Sequence, residues 1–348
     1  MSNTPDLQIR SQLRKENLRY ISDQTSGFFR QKIGRNFKYY DASGKIVKEK
    51  KDLDRIKSLS LPPAWKNVWI CPLANGHLQA IGFDDKGRKQ YIYHPDWILL
   101  TKQNKFGKMV DFGFSLPKIR SKVRFDLTSK TMDKRKILAT VVWLLEHTFI
   151  RVGNEEYARE NASFGLTTLR NKHVKITGSE IAFKFKGKSG VYNSIETSNP
   201  LVARIIQKCI ELPGYELFQY IDSSGERHVV DSEDVNLFLK DVTKDDFSAK
   251  DFRTWGATNL CSKNLFNLGV PENLKLCKKN VSDTIKKVSE HLHNTVSVCR
   301  NYYIHPTVID TYQKNILIPH FTNHSKSKSK KPGLSWQEYA LIKLLQNN

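Results

Sequence analysis

Residues 301–306 read Asn301-Tyr302-Tyr303-Ile304-His305-Pro306, and upstream of them stands Arg253-Thr254-Trp255 within Lys250-Asp251-Phe252-Arg253-Thr254-Trp255-Gly256. Earlier again come Phe149-Ile150-Arg151-Val152-Gly153-Asn154-Glu155-Glu156-Tyr157 and Phe185-Lys186-Gly187-Lys188-Ser189-Gly190. In chain order these stretches supply an arginine, a lysine, a second arginine and a phenol. Phosphodiester transfer builds negative charge on the equatorial oxygens, so fixed cationic donors aimed there lower its barrier. Arginine suits that task, because its planar fork meets two oxygens and keeps its proton. A lysine can hand a proton to the departing alkoxide, and a tyrosine can form the covalent intermediate. By composition alone Lys184, Lys186 and Lys188 are all eligible, and the chain holds 13 tyrosines.

The charge balance agrees with a polyanion partner. Of 348 residues, 57 are Lys or Arg and 35 are Asp or Glu, a net charge of +22 spread along the whole length. Such a surface gains affinity for nucleic acid by releasing condensed counterions, whatever the base sequence. Hydrophobic content of 39% is ordinary for a globular chain of this length, which is long enough for two domains. The five cysteines, 71, 209, 261, 277 and 299, form no CxxC pair and are odd in number. That argues against a disulfide framework or a zinc ribbon and for a reducing compartment. No apolar run approaches the ~20 residues that cross a bilayer, and Met1-Ser2-Asn3-Thr4-Pro5-Asp6 lacks signal-peptide character. A cytoplasmic, nucleoid-associated protein is expected. No Walker A loop and no Asp/Glu/His cluster with metal spacing is found, so neither nucleotide nor metal cofactor is expected.

The patterning predicts an α+β chain: a β-rich domain over residues 1–100, then a mainly helical domain over 101–348 with a small three-stranded sheet. Phe37 to Lys45 and Ala80 to Arg88 each read as strand then turn, and Gln90-Tyr91-Ile92-Tyr93-His94 resumes as an alternating strand. Leu61-Pro62-Pro63-Ala64-Trp65 reads as a rigid connector, and the polar stretch Thr101 to Lys108 as a linker. Leu116, Ile119 and Val123 recur at helix spacing, and Ile137, Leu138, Val141, Val142, Leu144 and Leu145 mark a nearly buried helix. Val174–Thr177, Ile181–Lys186 and Val191–Glu196 form the three short strands. Asn199 caps a helix with Pro200 at its first position, and Pro213-Gly214 stops it. Tyr215 to Val230 reads as a hairpin around Ser223-Ser224-Gly225. Ser325 to Lys331 alternates Ser and Lys as a basic linker, and Ser335-Trp336-Gln337-Glu338 is a capping box.

Taken together, these motifs resemble the type IB DNA topoisomerases of the compact bacterial and poxvirus kind. The resemblance covers nearly the whole chain. It is most specific over Arg151 to Asn161 followed by Phe164-Gly165-Leu166-Thr167-Thr168-Leu169, with Gly76-His77-Leu78-Gln79-Ala80 and Gly87-Arg88-Lys89-Gln90-Tyr91 in the first domain. It implies the catalytic fold shared with tyrosine recombinases, a duplex DNA partner, and a monomer that works without a cofactor. The family nucleophile directly precedes Ile-His-Pro or a close equivalent, which selects Tyr303 over Tyr302; on a helix the two would point roughly 100° apart. The general-acid lysine of the family stands at the Gly-Lys step, which selects Lys188. Arg151 and Arg253 fall at the two phosphate-binding positions. Nine residues before the nucleophile, viral members carry a histidine; here that position is Asn294, whose amide NH₂ can supply the same donor. His293 stands one position off. Arg88, Lys89, Gln90 and Tyr91 match a string that relatives place in the DNA major groove, with Gln90 able to read a base edge and ordinary strand packing as the alternative for Tyr91 and Tyr93.

The implied activity is ATP- and metal-independent relaxation of supercoiled duplex DNA through a 3′-phosphotyrosyl intermediate. Two other readings stand beside it. A tyrosine recombinase shares the catalytic set, but typically carries a histidine three residues before the second arginine, where this chain has Lys250. A non-catalytic basic DNA-binding protein would keep the charge alone.

Overall fold

The computed structural model describes residues 7–326 and 331–347. The chain is α+β and divides into two compact units, Met1–Lys105 and Phe106–Asn348.

The first unit contains α1 (Leu7–Lys15), β1 (Phe28–Ile33), β2 (Asn36–Tyr40), α2 (Lys50–Ser58), β3 (Lys66–Ile70), β4 (Leu78–Phe83) and β5 (Lys89–Tyr93). Its strands form one antiparallel sheet in the order β2-β1-β3-β4-β5. Ile56 of α2 packs on Val68, Ile70 and Ala80, with Phe28, Trp65 and Ile92 around them. The Gly76–Ala80 string proves to be scaffold. Gln79 is buried and its amide nitrogen donates to the carbonyls of Leu73, Ala74 and Gly76, while His77 accepts from the Ile21 N–H. One local device recurs at the turns. Asp41 accepts from the N–H groups of Ser43 and Lys45, Asp84 from those of Lys86 and Arg88, and Asp222 from those of Ser224 and Glu226. Each aspartate mimics a backbone turn, and a glycine three residues on takes the positive φ.

Helix α3 (Pro95–Gly107) contains the boundary between the units. Thr101 to Lys108, expected as a linker, is therefore helical through Gly107, and α4 (Met109–Leu127) begins at Met109. Lys and Gln extend a helix as readily as they fill a loop.

The second unit continues with α5 (Lys134–Thr148), α6 (Glu155–Asn161), β6 (Val174–Thr177), β7 (Glu180–Lys186), β8 (Tyr192–Ser198), α7 (Pro200–Ile210), β9 (Gln219–Ile221), β10 (Arg227–Val229) and α8 (Ser232–Thr243). Then follow α9 (Ala249–Leu268), α10 (Leu274–His291), α11 (Val296–Tyr302), α12 (Pro306–Gln313), α13 (Leu317–Lys326) and α14 (Trp336–Gln346). Strands β6, β7 and β8 form an antiparallel meander. Helix α5 is buried along most of its length, and α4, α8 and α9 pack against it. The Asn199 side chain accepts from the N–H groups of Leu201 and Val202 at the start of α7, as its sequence predicts. Of the expected basic linker at Ser325–Lys331, Ser325 and Lys326 belong to α13, and residues 327–330 lie outside the described residues. The sequence showed no metal-spaced cluster, yet Asp222, Glu226 and His228 on the β9–β10 hairpin bring their ligand atoms within 4.8 Å of one another. The turn already accounts for this group, since His228 Nε2 lies 2.7 Å from Asp222 Oδ2.

One ion-pair network locks α14 onto the helical core. Arg120 of α4 lies 2.7 Å from Glu146 of α5 and 2.6 Å from Glu338 of α14. Burial works against the Glu338 carboxylate, but the hydrogen bond and charge of Arg120 outweigh it and hold its pKa below the usual range. A depressed carboxylate pKa gives stability that is present above the unfolded value and is lost as pH falls through the folded one. Glu338→Gln is expected to cost about 3 kcal/mol at pH 7 and to flatten the loss of stability below about pH 4.5, measured by urea unfolding across pH.

Candidate active site

Arg151 lies on an irregular segment after α5. That helix ends at Phe149, whose φ of +53° turns the chain out of the helix. Residues 164–168 then brace the segment. Leu166 N–H donates to the Arg151 carbonyl at 2.8 Å, Thr167 N–H to the Val152 carbonyl at 2.7 Å, and Phe164 N–H to the Lys186 carbonyl of β7 at 2.8 Å. A Cβ on Gly165 would stand 2.6 Å from the Arg151 carbonyl, so only glycine permits this approach. The Phe164–Leu169 motif thus fixes Arg151 against the sheet.

Arg253 sits on α9 and is only 4% exposed. Its guanidinium donates to the Phe149 carbonyl and, at 2.8 Å, to the Leu292 carbonyl. These bonds use two of five N–H donors and set the plane of the fork. The Phe149 ring lies on α9 where Gly256 leaves room; a Cβ there would stand 2.1 Å from the ring. Burial pushes the Arg253 pKa down to about 10, and the nearby Arg151 charge adds to it, while Tyr303 acts in the opposite direction. Arg151 is likewise lowered by burial. Neither arginine forms an ion pair with a carboxylate among the described residues.

Asn294 follows the end of α10, and its Oδ1 accepts from Arg151. That bond turns the amide so that Nδ2 is the remaining donor. Asn294 Nδ2 and Arg253 Nε are both buried without a hydrogen-bond partner. Tyr303 caps α11, and its ring centroid lies 5.2 Å from Arg253 Cζ. Beneath it, Thr258 of α9 is fully buried; its hydroxyl donates to the Tyr303 carbonyl at 3.0 Å and accepts from the His305 N–H at 3.0 Å. One hydroxyl therefore pins the main chain on both sides of Ile304. His305 caps α12 by accepting from Thr307 N–H, and burial pushes its pKa down to about 4.

A narrow cleft gathers Arg151, Arg253, His293, Phe149, Phe164 and Gly187. Lys188 follows Gly187 on an exposed turn between β7 and β8 and is not among the lining residues. Of the sequence candidates, Arg151, Arg253, Asn294 and Tyr303 converge, and Lys188 stands one residue beyond the cleft wall. A wider concavity of about 570 Å³ over β6, β7 and β8 mixes Lys172, Lys175 and Lys184 with Glu180 and Glu196 and holds none of these groups.

The sequence reading missed Thr258, Gly256, the carbonyls of Phe149 and Leu292, and the placing of His293 on the cleft wall. Thr258 did leave a signal: Thr254, Thr258 and Ser262 form a buried polar stripe at i, i+4, i+8 on an apolar helix face.

In the first unit, Arg88 pairs with Asp84 at 2.7 Å, Gln90 Nε2 donates to the same carboxylate at 3.0 Å, and Lys89 pairs with Asp23. Tyr91 and Tyr93 are exposed and stacked, with centroids 5.9 Å apart. Tyr91 faces solvent, whereas Tyr93 also meets the buried His77 ring at 6.2 Å and shares in the packing of that strand with Ile92.

A family model of the eukaryotic DNA topoisomerase I catalytic core matches residues 96–330, and one of the bacterial DNA topoisomerase IB N-terminal domain matches residues 36–84. The chain belongs to the type IB DNA topoisomerases. It is 35% identical over 296 residues to the DNA topoisomerase 1B of Acanthamoeba polyphaga mimivirus, covering 83% of this chain and 88% of that protein. It is 27% identical over 241 residues to the DNA topoisomerase 1B of vaccinia virus (strain Copenhagen), covering 68% and 73%. The DNA topoisomerase 1 of Schizosaccharomyces pombe is 27% identical over 186 residues, which is 52% of this chain and 21% of that protein.

Thr258→Val keeps the shape but removes both hydrogen bonds. Covalent adduct formation on duplex DNA is expected to slow about tenfold with DNA affinity unchanged, and Thr258→Ser to restore it.

Proposed function

We propose that the chain relaxes supercoiled duplex DNA by passing one strand between a deoxyribose and Tyr303. The Tyr303 oxygen attacks a backbone phosphorus as the phenol gives its proton to water. The bond to the 5′ oxygen breaks, Lys188 protonates that oxygen, and a 3′-phosphotyrosine and a free 5′-hydroxyl result. The downstream duplex swivels about the intact strand, and the hydroxyl then attacks back. One phosphoester replaces another, so no ATP is required. Arg151, Arg253 and the Asn294 amide hold the non-bridging oxygens.

The observation that carries this reading is a buried arginine, Arg253, and a half-buried one, Arg151, with no carboxylate partner among the described residues, beside a tyrosine and two unpartnered donors. Such a group is costly unless an anion enters it. Lys188 is assigned by its place on the turn after Gly187, at the edge of the cleft. Arg88, Lys89, Gln90 and Tyr91 are proposed to hold the duplex, the first unit serving as the DNA-gripping domain and the second as the catalytic one. Exposure of the Tyr91–Tyr93 stack favours that role, and DNA phosphates would take the places of Asp84 and Asp23 on the two cations. Arg151, Arg253, Asn294 and Tyr303 gather within one unit of the fold, which favours action as a monomer. Five buried free cysteines, the basic charge and the absence of a membrane-crossing helix among the described residues favour a cytoplasmic, nucleoid-associated setting.

A plasmid relaxation assay in EDTA without ATP tests the reading. The wild type is expected to relax the plasmid. Tyr303→Phe should abolish relaxation while keeping salt-sensitive DNA binding, and full activity in that variant would reject Tyr303 as nucleophile. Arg253→Lys is expected to slow cleavage about 100-fold, because a point charge replaces a planar fork.

A further inference from the structure

The segment Leu292-His293-Asn294 is held from both sides of the cleft. Arg253 donates to the Leu292 carbonyl at 2.8 Å, and Arg151 donates to the Asn294 side chain. Between these anchors, His293 occupies the position after the cap of α10 in a Schellman turn. Its N–H donates to the Glu290 carbonyl at 3.1 Å, and the Asn294 N–H to the Ser289 carbonyl at 3.0 Å. The φ of His293 is +49°, a position where glycine is the ordinary occupant. Glycine would close this turn with less strain, so the imidazole calls for a use of its own.

The surroundings point to that use. His293 is half-buried and lines the cleft together with Arg151, Arg253 and Gly187. The charged and titratable groups near it are Arg253 from α9, Arg151 from the segment after α5 and His291 from α10, with Tyr303, the cap of α11, lying against Arg253. Among the described residues, no carboxylate contributes to its pKa. Burial lowers its pKa first, and the two arginines and His291 lower it further, so the ring is neutral at neutral pH.

We propose that His293 is an additional catalytic residue of this chain, a neutral imidazole whose N–H donates to a non-bridging oxygen of the scissile phosphate beside the Asn294 amide. The inference rests on the reading of the cleft as the phosphodiester site. A neutral donor adds a hydrogen bond to the developing oxyanion without placing a third cation next to two arginines. It also does not duplicate Asn294, whose carbonyl oxygen is engaged by Arg151 and whose amide offers a separate donor.

The test uses single-turnover cleavage of a duplex whose short downstream strand dissociates once cut. His293→Gly relieves the turn, so its Tm is expected to rise by about 2 °C while its cleavage rate falls about tenfold. His293→Asn tolerates the positive φ and brings an amide donor, and should recover most of the rate. When one non-bridging oxygen of the scissile phosphate is replaced by methyl, one of the two stereoisomers is expected to erase the difference between wild type and His293→Gly. Three results overturn the proposal: cleavage by His293→Gly within twofold of wild type, an equal defect on both stereoisomers, or a rate loss accompanied by a lower Tm. Should His293→Gly fail to fold, the stereoisomer comparison is made with His293→Phe. If the wild type forms no covalent adduct with the all-phosphate duplex, it is the reading of the cleft that fails instead.

Discussion

Arg253 is a buried cation held by backbone rather than by a carboxylate, and the chemistry of the second unit depends on that. Its two acceptors are the carbonyls of Phe149 and Leu292, the residues that cap the C-terminal ends of α5 and α10. Each helix end carries roughly half a negative charge. Two such ends hold the guanidinium in place and partly offset its charge without neutralising it. A carboxylate would fix it equally well, but would then compete with every phosphate that approached. The fold thus resolves two demands that conflict: a rigid arginine, and one still able to bind an anion.

Arg120 shows the alternative outcome for the same side chain. Burial disfavours its charge too, but Glu338 and Glu146 outweigh that and raise its pKa, whereas Arg151 and Arg253 are left lowered. Arg120 ties helices together; the other two remain open to an anion. Carbonyl pairing alone does not mark a site, since Arg30 donates to the carbonyls of Leu61, Pro62 and Trp65 and simply pins the proline connector. The distinction at the cleft is proximity: two uncompensated arginines, close enough for one to lower the other, with a phenol ring against one of them.

Much of this was legible in the sequence because local rules and motif spacing pointed the same way. The buried helix α5, the cap at Asn199, the three-strand meander and the Ser335 capping box are local patterns with local causes. Strands β1 and β3 were not legible. In β1 only Phe28 and Arg30 are even partly covered, one apolar and one charged, so Phe-Phe-Arg-Gln-Lys-Ile shows no apolar–polar alternation. The linker expected at Thr101–Lys108 failed for a related reason, since polar helix formers on an exposed face look the same in a loop. In the site, the motifs identified side chains but not the acceptors that hold them. The carbonyls that orient Arg253 lie 104 and 39 residues away in sequence and carry no side-chain identity for a motif to record.

Reversibility places its own demand on the proposed nucleophile. The tyrosine must exchange between phenol and phosphoester while the phosphorus stays within reach, so its main chain has to be fixed and its side chain left mobile. Thr258 meets that demand by holding the carbonyl of Tyr303 and the N–H of His305. Because Thr258 and Arg253 stand on the same buried helix, any shift of α9 moves the proposed nucleophile, Tyr303, and Arg253 together. The Thr258 hydroxyl thereby ties the inter-helix segment that carries Tyr303 to the helix that carries Arg253. Of the four side chains proposed for the reversible step, two thus take their reference frame from one helix.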